Sequence, residues 1–261
     1  MDLQREPLPT RVQDTPSLPA AYEDALVRGL ADLGLDGELG PDSRARAAMG
    51  GHVRLLLAWT RHINLTAIRD PAAVATAHVV DSLSALPWLR GRGADAVLDL
   101  GSGGGYPGLP LAAALPAAVF TLVEPIAKKA RFLRAVVEAT GLADRVTVLD
   151  IRSEALAGDP ARRETWQVVT ARAVAPAAEL VELSFPLLAR GGSLVAWKRG
   201  DVSAELTAAR RAIDALGGGT LDVHDVTVPG LADHRLAIAT RTGTVPHAYP
   251  RDPTARRRHP W

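Results

Sequence analysis

The stretch VLDLGSGGGYPGLPLA (residues 97–112) places five glycines between two apolar runs. The apolar run before the glycines is typical of a buried strand, and the alanine-rich run after them is typical of a helix. Glycine lets a ligand approach the main chain without a Cβ in the way, and the start of a helix offers unpaired N–H groups. The stretch therefore predicts a strand, a glycine loop and a helix, with a ligand at their junction.

Strand patterns alternate with helical patterns through the following 100 or so residues. The strand patterns are AVLDL, VFTLVE, RVTVLD, WQVVTAR and GSLVAWK, and helical segments such as AKKARFLRAVVEAT separate them. This alternation predicts a doubly wound α/β fold with a parallel sheet. Two more strand patterns, TLDVHDVTV and HRLAIATR, are joined only by PGLAD, which is too short for a crossover helix. They predict an antiparallel pair at the sheet edge, which gives a mostly parallel, seven-stranded sheet.

The remaining segments differ from this domain in composition. Residues 1–20 are proline-rich and polar, which predicts a disordered leader, and residues 21–92 have apolar positions at helical spacing, which predicts a small helical unit. We expect residues 93–241 to form the ligand-binding domain. Residues 242–261 are rich in proline and arginine, which predicts an extended basic tail suited to a phosphate backbone.

Composition excludes several classes of function. The chain has no cysteine, which excludes disulfides, thiolate metal sites and cysteine nucleophiles, and no His/Asp/Glu cluster has metal-ligand spacing, so we expect no metal. The N-terminus has no signal-peptide pattern and no apolar window is long enough to span a membrane, so we expect a soluble cytoplasmic protein. Because the net charge is only +1, a nucleic acid would have to be held by local basic patches.

The glycine loop permits two cofactor interpretations. Residues 103–108 formally match the G-x-G-x-x-G of a dinucleotide-binding loop, but Pro107 and Pro110 restrict the backbone where such a loop begins a regular helix. The frame that starts at Asp99 and continues G-x-G-x-G resembles the first motif of class I S-adenosylmethionine-dependent methyltransferases. Glu124 ends the second strand pattern, where a carboxylate can accept hydrogen bonds from both ribose hydroxyls of a nucleoside.

Further motifs make the resemblance specific. INLTAIRD (residues 63–70), HVVDSL (78–83), EPIAKKARFLRAV (124–136), TARAVA (170–175) and AWKRG (196–200) follow one another in the order seen in the bacterial ribosomal RNA small-subunit methyltransferase G family, also called GidB. The resemblance implies a methyltransferase that uses S-adenosylmethionine to methylate N7 of a guanine in the decoding region of 16S ribosomal RNA.

The resemblance also implies roles for individual residues. Arg172 would be the catalytic residue, beside the methyl-transfer site. The expected cofactor-binding residues are Gly101, Ser102, Gly103, Tyr106, Glu124, Ser153, Glu154 and Arg172. The expected substrate-binding residues are Asn64, His78, Asp81, Ser82, Lys128 and Lys198. For His78 and Asp81, a hydrogen-bonded pair between the helical unit and the sheet domain is an equally good interpretation.

The reaction chemistry agrees with this substrate class. Methylation of cytosine C5 usually needs a cysteine, and methylation of an exocyclic amine usually needs an Asn/Asp-Pro-Pro-aromatic loop, where this chain has TARAVAPA. Guanine N7 carries a free lone pair and needs no general base, so catalysis would rest on positioning and electrostatics. Two alternatives remain open, a methyltransferase of the same fold acting on a small molecule or protein, and a nucleotide-binding oxidoreductase or non-catalytic module. In the leading interpretation the partner is 16S ribosomal RNA or the small ribosomal subunit particle, and the enzyme is a monomer.

Overall fold

A seven-stranded sheet forms the centre of the protein, whose computed structural model describes residues 8–261. The strands are β1 (Ala96–Leu100), β2 (Val119–Val123), β3 (Val146–Leu149), β4 (Trp166–Arg172), β5 (Leu188–Arg199), β6 (Gly219–Asp225) and β7 (His234–Arg241). Their order is β3-β2-β1-β4-β5-β7-β6, with β1 to β5 parallel and β7 antiparallel to both of its neighbours. The predicted doubly wound, mostly parallel seven-stranded sheet is confirmed.

A helical unit precedes the sheet. Its helices are α1 (Ala20–Asp32), α2 (Arg44–Trp59), α3 (Pro71–Val74), α4 (Asp81–Leu83) and α5 (Leu86–Gly91), and a π-helical turn (Ala75–Val80) joins α3 to α4. Asp70 caps α3 by accepting a hydrogen bond from Ala73 N at 2.8 Å, and proline follows it at the first helical position. The unit shares one hydrophobic core with a face of the sheet, where Leu56 and Phe120 are fully buried.

The other helices follow individual strands and cover both faces of the sheet. They are α6 (Gly108–Ala114), α7 (Ala127–Ala139), α8 (Ser153–Gly158), α9 (Ala177–Ser184), α10 (Ser203–Ala215) and α11 (Pro253–Arg258). A second hydrophobic cluster lies under α9 and α10, on the face opposite the helical unit. Within residues 8–261, no helix is long and apolar enough to cross a lipid bilayer.

The prediction of a disordered leader is wrong for residues 8–19, whereas residues 1–7 lie outside the described part of the chain. Trp59 Nε1 donates to Pro9 O at 2.7 Å, and Arg54 Nε donates to Pro16 O at 2.9 Å. Thr15 is buried. Side chains of α2 hold this segment through its main-chain carbonyls and not through a hydrophobic face. Its order therefore leaves no hydrophobic period in the sequence, and a prediction from such periods misses it.

The prediction of an extended tail over residues 242–261 is also wrong. Val245 is buried, residues 253–258 form α11, and the rings of Tyr249 and Trp261 stack at 5.9 Å. Arg251 pairs with Glu182, whose side chain is fully buried. The tail therefore folds onto the sheet domain, and its charge is partly neutralised there.

Candidate active site

A cavity of about 720 Å³ opens at the carboxyl ends of β1, β2 and β4. Ligands of doubly wound folds bind at this end of the sheet, and the volume suits a nucleoside-sized ligand. The glycine loop, the end of β2 and the start of α7 line one part with Gly101, Ser102, Gly103, Gly104, Tyr106, Glu124 and Lys129. The helical unit and the ends of β4, β5 and β7 line the other part with Thr66, His78, Asp81, Arg172, Trp197, Lys198, Arg199 and His234.

The glycine loop is tied to the end of β2. Gly101 N and Ser102 N both donate to Val123 O, at 2.8 and 3.0 Å, and Gly103 N donates to Glu124 Oε2 at 2.9 Å. Gly103 has a φ of +54°, and a Cβ there would meet only Gly101 O, at 3.8 Å. The space above Gly103 is therefore open to the cavity, as a loop that packs against a ligand requires.

Glu124 lines the cavity although only 4% of its surface is exposed. Its Oε1 accepts from Ile126 N at 2.8 Å, and its Oε2 accepts from Gly103 N. Each carboxylate oxygen has a second lone pair, so Glu124 can also accept hydrogen bonds from a ligand's hydroxyls. The position and the remaining acceptors fit the expected ribose contact.

Asp99, which begins the methyltransferase-like motif, lies behind the loop rather than in the cavity lining. Its Oδ1 accepts from Thr170 Oγ1 at 2.7 Å, which joins β1 to β4. Burial raises the pKa of Asp99 to about 6, and hydrogen bonds from Thr170 and Ser102 partly oppose the rise. Ser102 Oγ donates to Asp99 O at 3.0 Å, so the Ser102 hydroxyl is used within the loop.

The Tyr106 ring forms an aromatic wall of the cavity. It stacks on His52 at 4.5 Å, lies 4.8 Å from the His78 ring, and has the Arg172 guanidinium 5.2 Å from its centroid. Burial raises the pKa of Tyr106 well above its usual value, so the phenol stays neutral. The ring thus orders two histidines and the expected catalytic arginine around the loop.

Arg172 ends β4 and joins the sheet to the helical unit. Its Nη1 donates to Asp81 Oδ2 at 2.9 Å and to Ala77 O at 3.1 Å. Asp81, which is 2% exposed, also accepts from His234 Nδ1 at 2.8 Å, and its main-chain oxygen accepts from Trp197 Nε1 at 2.7 Å. Asp81 therefore holds Arg172 in place and pairs the helical unit with β4 and β7.

His78 lies between Thr66 and Arg172. Its Nε2 is 2.7 Å from Thr66 Oγ1, and its Nδ1 is 3.3 Å from Arg172 Nη2. Burial, assisted by the Arg172 charge, lowers the pKa of His78 to about 4. The ring is therefore neutral at physiological pH and is a weak base.

Of the other expected substrate-binding residues, one lines the cavity and three do not. Lys198 lines the cavity, and its Nζ donates to Ala175 O at 2.9 Å and to Glu205. Ser82 does not line the cavity, because it is fully buried and its Oγ donates to His78 O at 2.5 Å. Asn64 and Lys128 are exposed and lie outside the lining, whereas Lys129, the neighbour of Lys128, belongs to it.

Ser153 and Glu154, expected near the adenine, do not line this cavity. Ser153 Oγ is 3.3 Å from Glu154 Oε2, and Glu154 Oε1 accepts from Arg256 Nη2 at 2.5 Å. The Glu154 side chain is therefore engaged by the C-terminal segment, and an adenine contact at this point of the chain stays a prediction.

Three residues of the site were missed by the sequence reasoning. His52 supports the loop by a 2.7 Å contact between its Nε2 and Gly104 O, and His234 and Trp197 both bind Asp81. His52 and His234 stand among ordinary helix and strand residues with no local motif, whereas Trp197 lies in the AWKRG motif, which gives no sign that its indole contacts Asp81.

Comparisons with known proteins identify the family. The family described as rRNA small subunit methyltransferase G (GidB) matches residues 46–232. A ribosomal RNA small subunit methyltransferase G of Roseiflexus sp. is 43% identical over 197 residues, which cover 75% of this chain and 83% of the relative. A protein of the same name from Dehalococcoides mccartyi is 38% identical over 228 residues, which cover 87% of this chain and 94% of the relative. The chain belongs to the rRNA small subunit methyltransferase G family.

Solved structures agree at the level of the fold. The O-methyltransferase of Bacillus cereus in complex with SAH has a TM-score of 0.54 at 16% identity and covers 83% of this chain and 100% of its own. Cofactor-bound Rv0187 from MTB has a TM-score of 0.53 at 19% identity, covering 83% and 98%. As a member of its family, the chain is an S-adenosylmethionine-dependent methyltransferase of small-subunit ribosomal RNA.

Proposed function

We propose that this enzyme methylates N7 of a guanine in the decoding region of 16S ribosomal RNA, with the transfer occurring at the Arg172 end of the cavity. One observation carries the proposal, which is that the carboxylate and the imidazole beside Arg172 are already engaged. Asp81 is paired with both Arg172 and His234, and His78, between Thr66 and Arg172, has a pKa lowered to about 4. Among the described residues at this end, neither group is free to take a proton from a nucleophile, whereas guanine N7 already has a free lone pair.

The cofactor end is formed by the glycine loop and Glu124. When bound, S-adenosylmethionine supplies an electrophilic methyl group on a sulfonium. Gly103 leaves room above the main chain, and Glu124 has acceptors for two ribose hydroxyls. We propose Ser153 and Glu154 as the residues that lie near the adenine of the cofactor.

Arg172 positions the guanine. Guanine presents O6 and N7 as acceptors on its major-groove edge, and an arginine recognises this edge through its N–H groups. Asp81, Ala77 O and His78 occupy part of the Arg172 donor set, and the remaining donors suit O6. The Asp81 carboxylate also offsets the Arg172 charge, so the cation that forms on the methylated guanine faces a nearly neutral pair.

The start of α7 supplies a basic rim for the RNA backbone. Lys129 lines the cavity, Lys128 beside it is exposed, and the Arg131 guanidinium lies 5.6 Å from the centroid of the Trp59 ring at the end of α2. Residues 125–134 contain no acidic side chain. Cations grouped beside the mouth favour phosphate contacts, whose contribution falls as the salt concentration rises.

The proposal extends to the setting of the reaction. The enzyme acts as a monomer in the cytoplasm, where its ribosomal substrate is, and the small subunit particle offers the guanine in its folded surroundings. Sedimentation of the purified protein alone tests whether it is a monomer, and sedimentation of its mixture with small subunits tests whether it binds the particle.

The experiment that tests the proposed function maps N7-methylguanine in 16S ribosomal RNA from cells with and without the gene. We expect one site to lose its methyl group in the deletion strain and to regain it when the wild-type gene is restored. An Arg172→Ala gene should not restore it, although the protein accumulates. An unchanged N7-methylguanine map in the deletion strain would refute the proposal.

A further inference from the structure

The C-terminal segment, residues 246–261, is anchored to α9 by a buried carboxylate. Glu182 is fully buried, and its Oε2 accepts from Arg251 Nη2 at 2.6 Å and from Trp261 Nε1 at 2.7 Å. The Arg251 guanidinium also lies 4.7 Å from the centroid of the Trp261 ring. These contacts hold the segment at two places, Arg251 near its start and Trp261 at residue 261.

Arg256 lies between these anchors and is turned inward. Its side chain is 9% exposed. Its Nη2 donates to Glu154 Oε1 at 2.5 Å, its Nε donates to Glu179 Oε1 at 3.0 Å, and its Nη1 donates to Arg251 O at 2.6 Å. All three nitrogens are used inside the protein, so Arg256 is not presented to a phosphate.

The contact with Glu154 reaches the edge of the cofactor site. Glu154 is the second residue of α8, the helix that follows β3 along the chain. The end of β3 adjoins the carboxylate expected at the ribose, since Glu124 N donates to Leu149 O at 3.0 Å. Burial is the largest single influence on the pKa of Glu154 and raises it, but the hydrogen bond and charge of Arg256, together with hydrogen bonds from the Glu154 main chain and Ser153, hold that pKa below its usual range.

We propose that Arg256 is a positioning residue for the cofactor site, which acts by holding Glu154 and with it the start of α8. The inference rests on the proposed function, because it takes the adenine to lie at Ser153 and Glu154. The family match ends at residue 232, so the C-terminal segment contributes to the site from outside the matched region. An ion pair of this kind fixes a main-chain segment better than a solvated carboxylate does, because both partners are withdrawn from water and hydrogen-bonded.

The test compares Arg256→Ala with Arg258→Ala, which removes the same charge from an exposed position of the same helix. Binding of S-adenosylhomocysteine is measured by calorimetry, and KM and kcat are measured on small ribosomal subunits. We expect Arg256→Ala to raise Kd and the KM for S-adenosylmethionine about tenfold, with kcat and RNA affinity unchanged. Arg258→Ala should match the wild type, and Arg256→Lys should recover part of the loss.

A double-mutant cycle shows whether Arg256 acts through Glu154. If it does, Arg256→Ala combined with Glu154→Gln loses no more affinity for S-adenosylhomocysteine than the weaker-binding of the two single variants. Glu154→Gln also tests the contact from its other side if Arg256→Ala does not fold.

Different results would contradict this proposal and the proposed cofactor site. Wild-type affinity for S-adenosylhomocysteine in a folded Arg256→Ala protein, or additive losses in the cycle, would overturn the proposal. A lower salt dependence of RNA binding in Arg256→Ala, with unchanged cofactor affinity, would make the segment an RNA-binding arm instead. If the wild-type protein itself does not bind S-adenosylhomocysteine, the proposed cofactor site is wrong, whereas the coupling of Arg256 and Glu154 can still be measured in unfolding experiments.

Discussion

Replacing His52 by glutamine should change how the stability of the protein depends on pH. His52 lies under the glycine loop with 2% of its surface exposed, and its Nε2 is 2.7 Å from Gly104 O. A carbonyl only accepts, so Nε2 carries the proton, while Nδ1 has no partner among the described residues. Burial lowers the pKa of His52 to about 4, assisted by electrostatic interactions with His78 and Arg172 and opposed by the hydrogen bond to Gly104.

The magnitude follows from the difference between the folded and unfolded pKa values. The pKa of His52 falls from 6.5 to about 4 on folding, and each unit corresponds to about 1.4 kcal/mol. Below pH 6.5 the unfolded chain takes up a proton that the folded protein does not bind. The contribution of His52 to stability is therefore intact above pH 6.5 and decreases by about 3 kcal/mol as the pH falls to 4.

Glutamine retains an N–H donor and does not titrate, so His52→Gln removes this pH dependence. Urea unfolding at several pH values, followed by fluorescence of the five tryptophans, gives the free energy of unfolding of both proteins. At neutral pH the variant is less stable, because it loses the ring stacking on Tyr106, worth about 1 kcal/mol. We expect this difference to shrink or reverse by about 2–3 kcal/mol at pH 4.5.

The control is His62→Gln, the same exchange at an exposed loop position, which should follow the wild type at every pH. His78 also has a lowered pKa and is present in all three proteins, so the wild type, His52→Gln and His62→Gln all contain its titration. A difference between wild type and His52→Gln that stays constant from pH 7.5 to 4.5 would refute the reasoning.

Three further predictions concern the loop, β4 and β1. Gly103→Val puts a branched side chain into the open space above the loop, at a φ of +54° that strains valine, so calorimetry should detect no S-adenosylhomocysteine binding to a protein with a wild-type circular dichroism spectrum. Unchanged affinity would contradict the cofactor site. Arg172→Ala should lower kcat at least about 100-fold. It should also reduce stability by up to about 3 kcal/mol, because buried Asp81 loses a cationic partner. Turnover within twofold of wild type would make Arg172 a structural residue. Asp99→Asn should stabilise the protein by about 2–3 kcal/mol at pH 8, because the pKa of the buried Asp99 is raised to about 6 and the wild type must keep that carboxylate charged. This gain should disappear below pH 4. An equal gain in urea unfolding at both pH values would contradict this prediction.

Much of the fold and the cofactor end follows from short patterns in the sequence. The strand and helix periods predict the seven strands and which of them run parallel or antiparallel, because such periods depend only on residues near one another in the sequence. Gly103 and Glu124 line the cavity together because the glycine loop follows β1 and Glu124 follows β2, and parallel strands end at the same edge of the sheet. Arg172 is found by the same rule at the end of β4.

The sequence does not show which of two neighbouring side chains on a helix faces the cavity. Ser82 and Asp81 are neighbours on a helix, where successive side chains point about 100° apart, so only Asp81 faces the cavity. The same holds for Lys128 and Lys129.

The C-terminal segment carries no apolar period, so its order rests on long-range ion pairs. Arg251 with Glu182 and Arg256 with Glu154 are 69 and 102 residues apart in the chain. A composition rich in arginine and proline resembles that of a solvated tail, and only the tertiary structure shows where the charges are paired.

The most direct test of the central claim uses the purified enzyme, labelled S-adenosylmethionine and small ribosomal subunits that lack the modification. After the reaction the 16S ribosomal RNA is digested to nucleosides, and a second portion is cleaved chemically at N7-methylguanosine. We expect the label to co-elute with N7-methylguanosine, cleavage to occur at a single guanine in the decoding region, and Arg172→Ala to give neither signal. Label in any other nucleoside, or at a base-methylation site that needs prior loss of a proton, would contradict it.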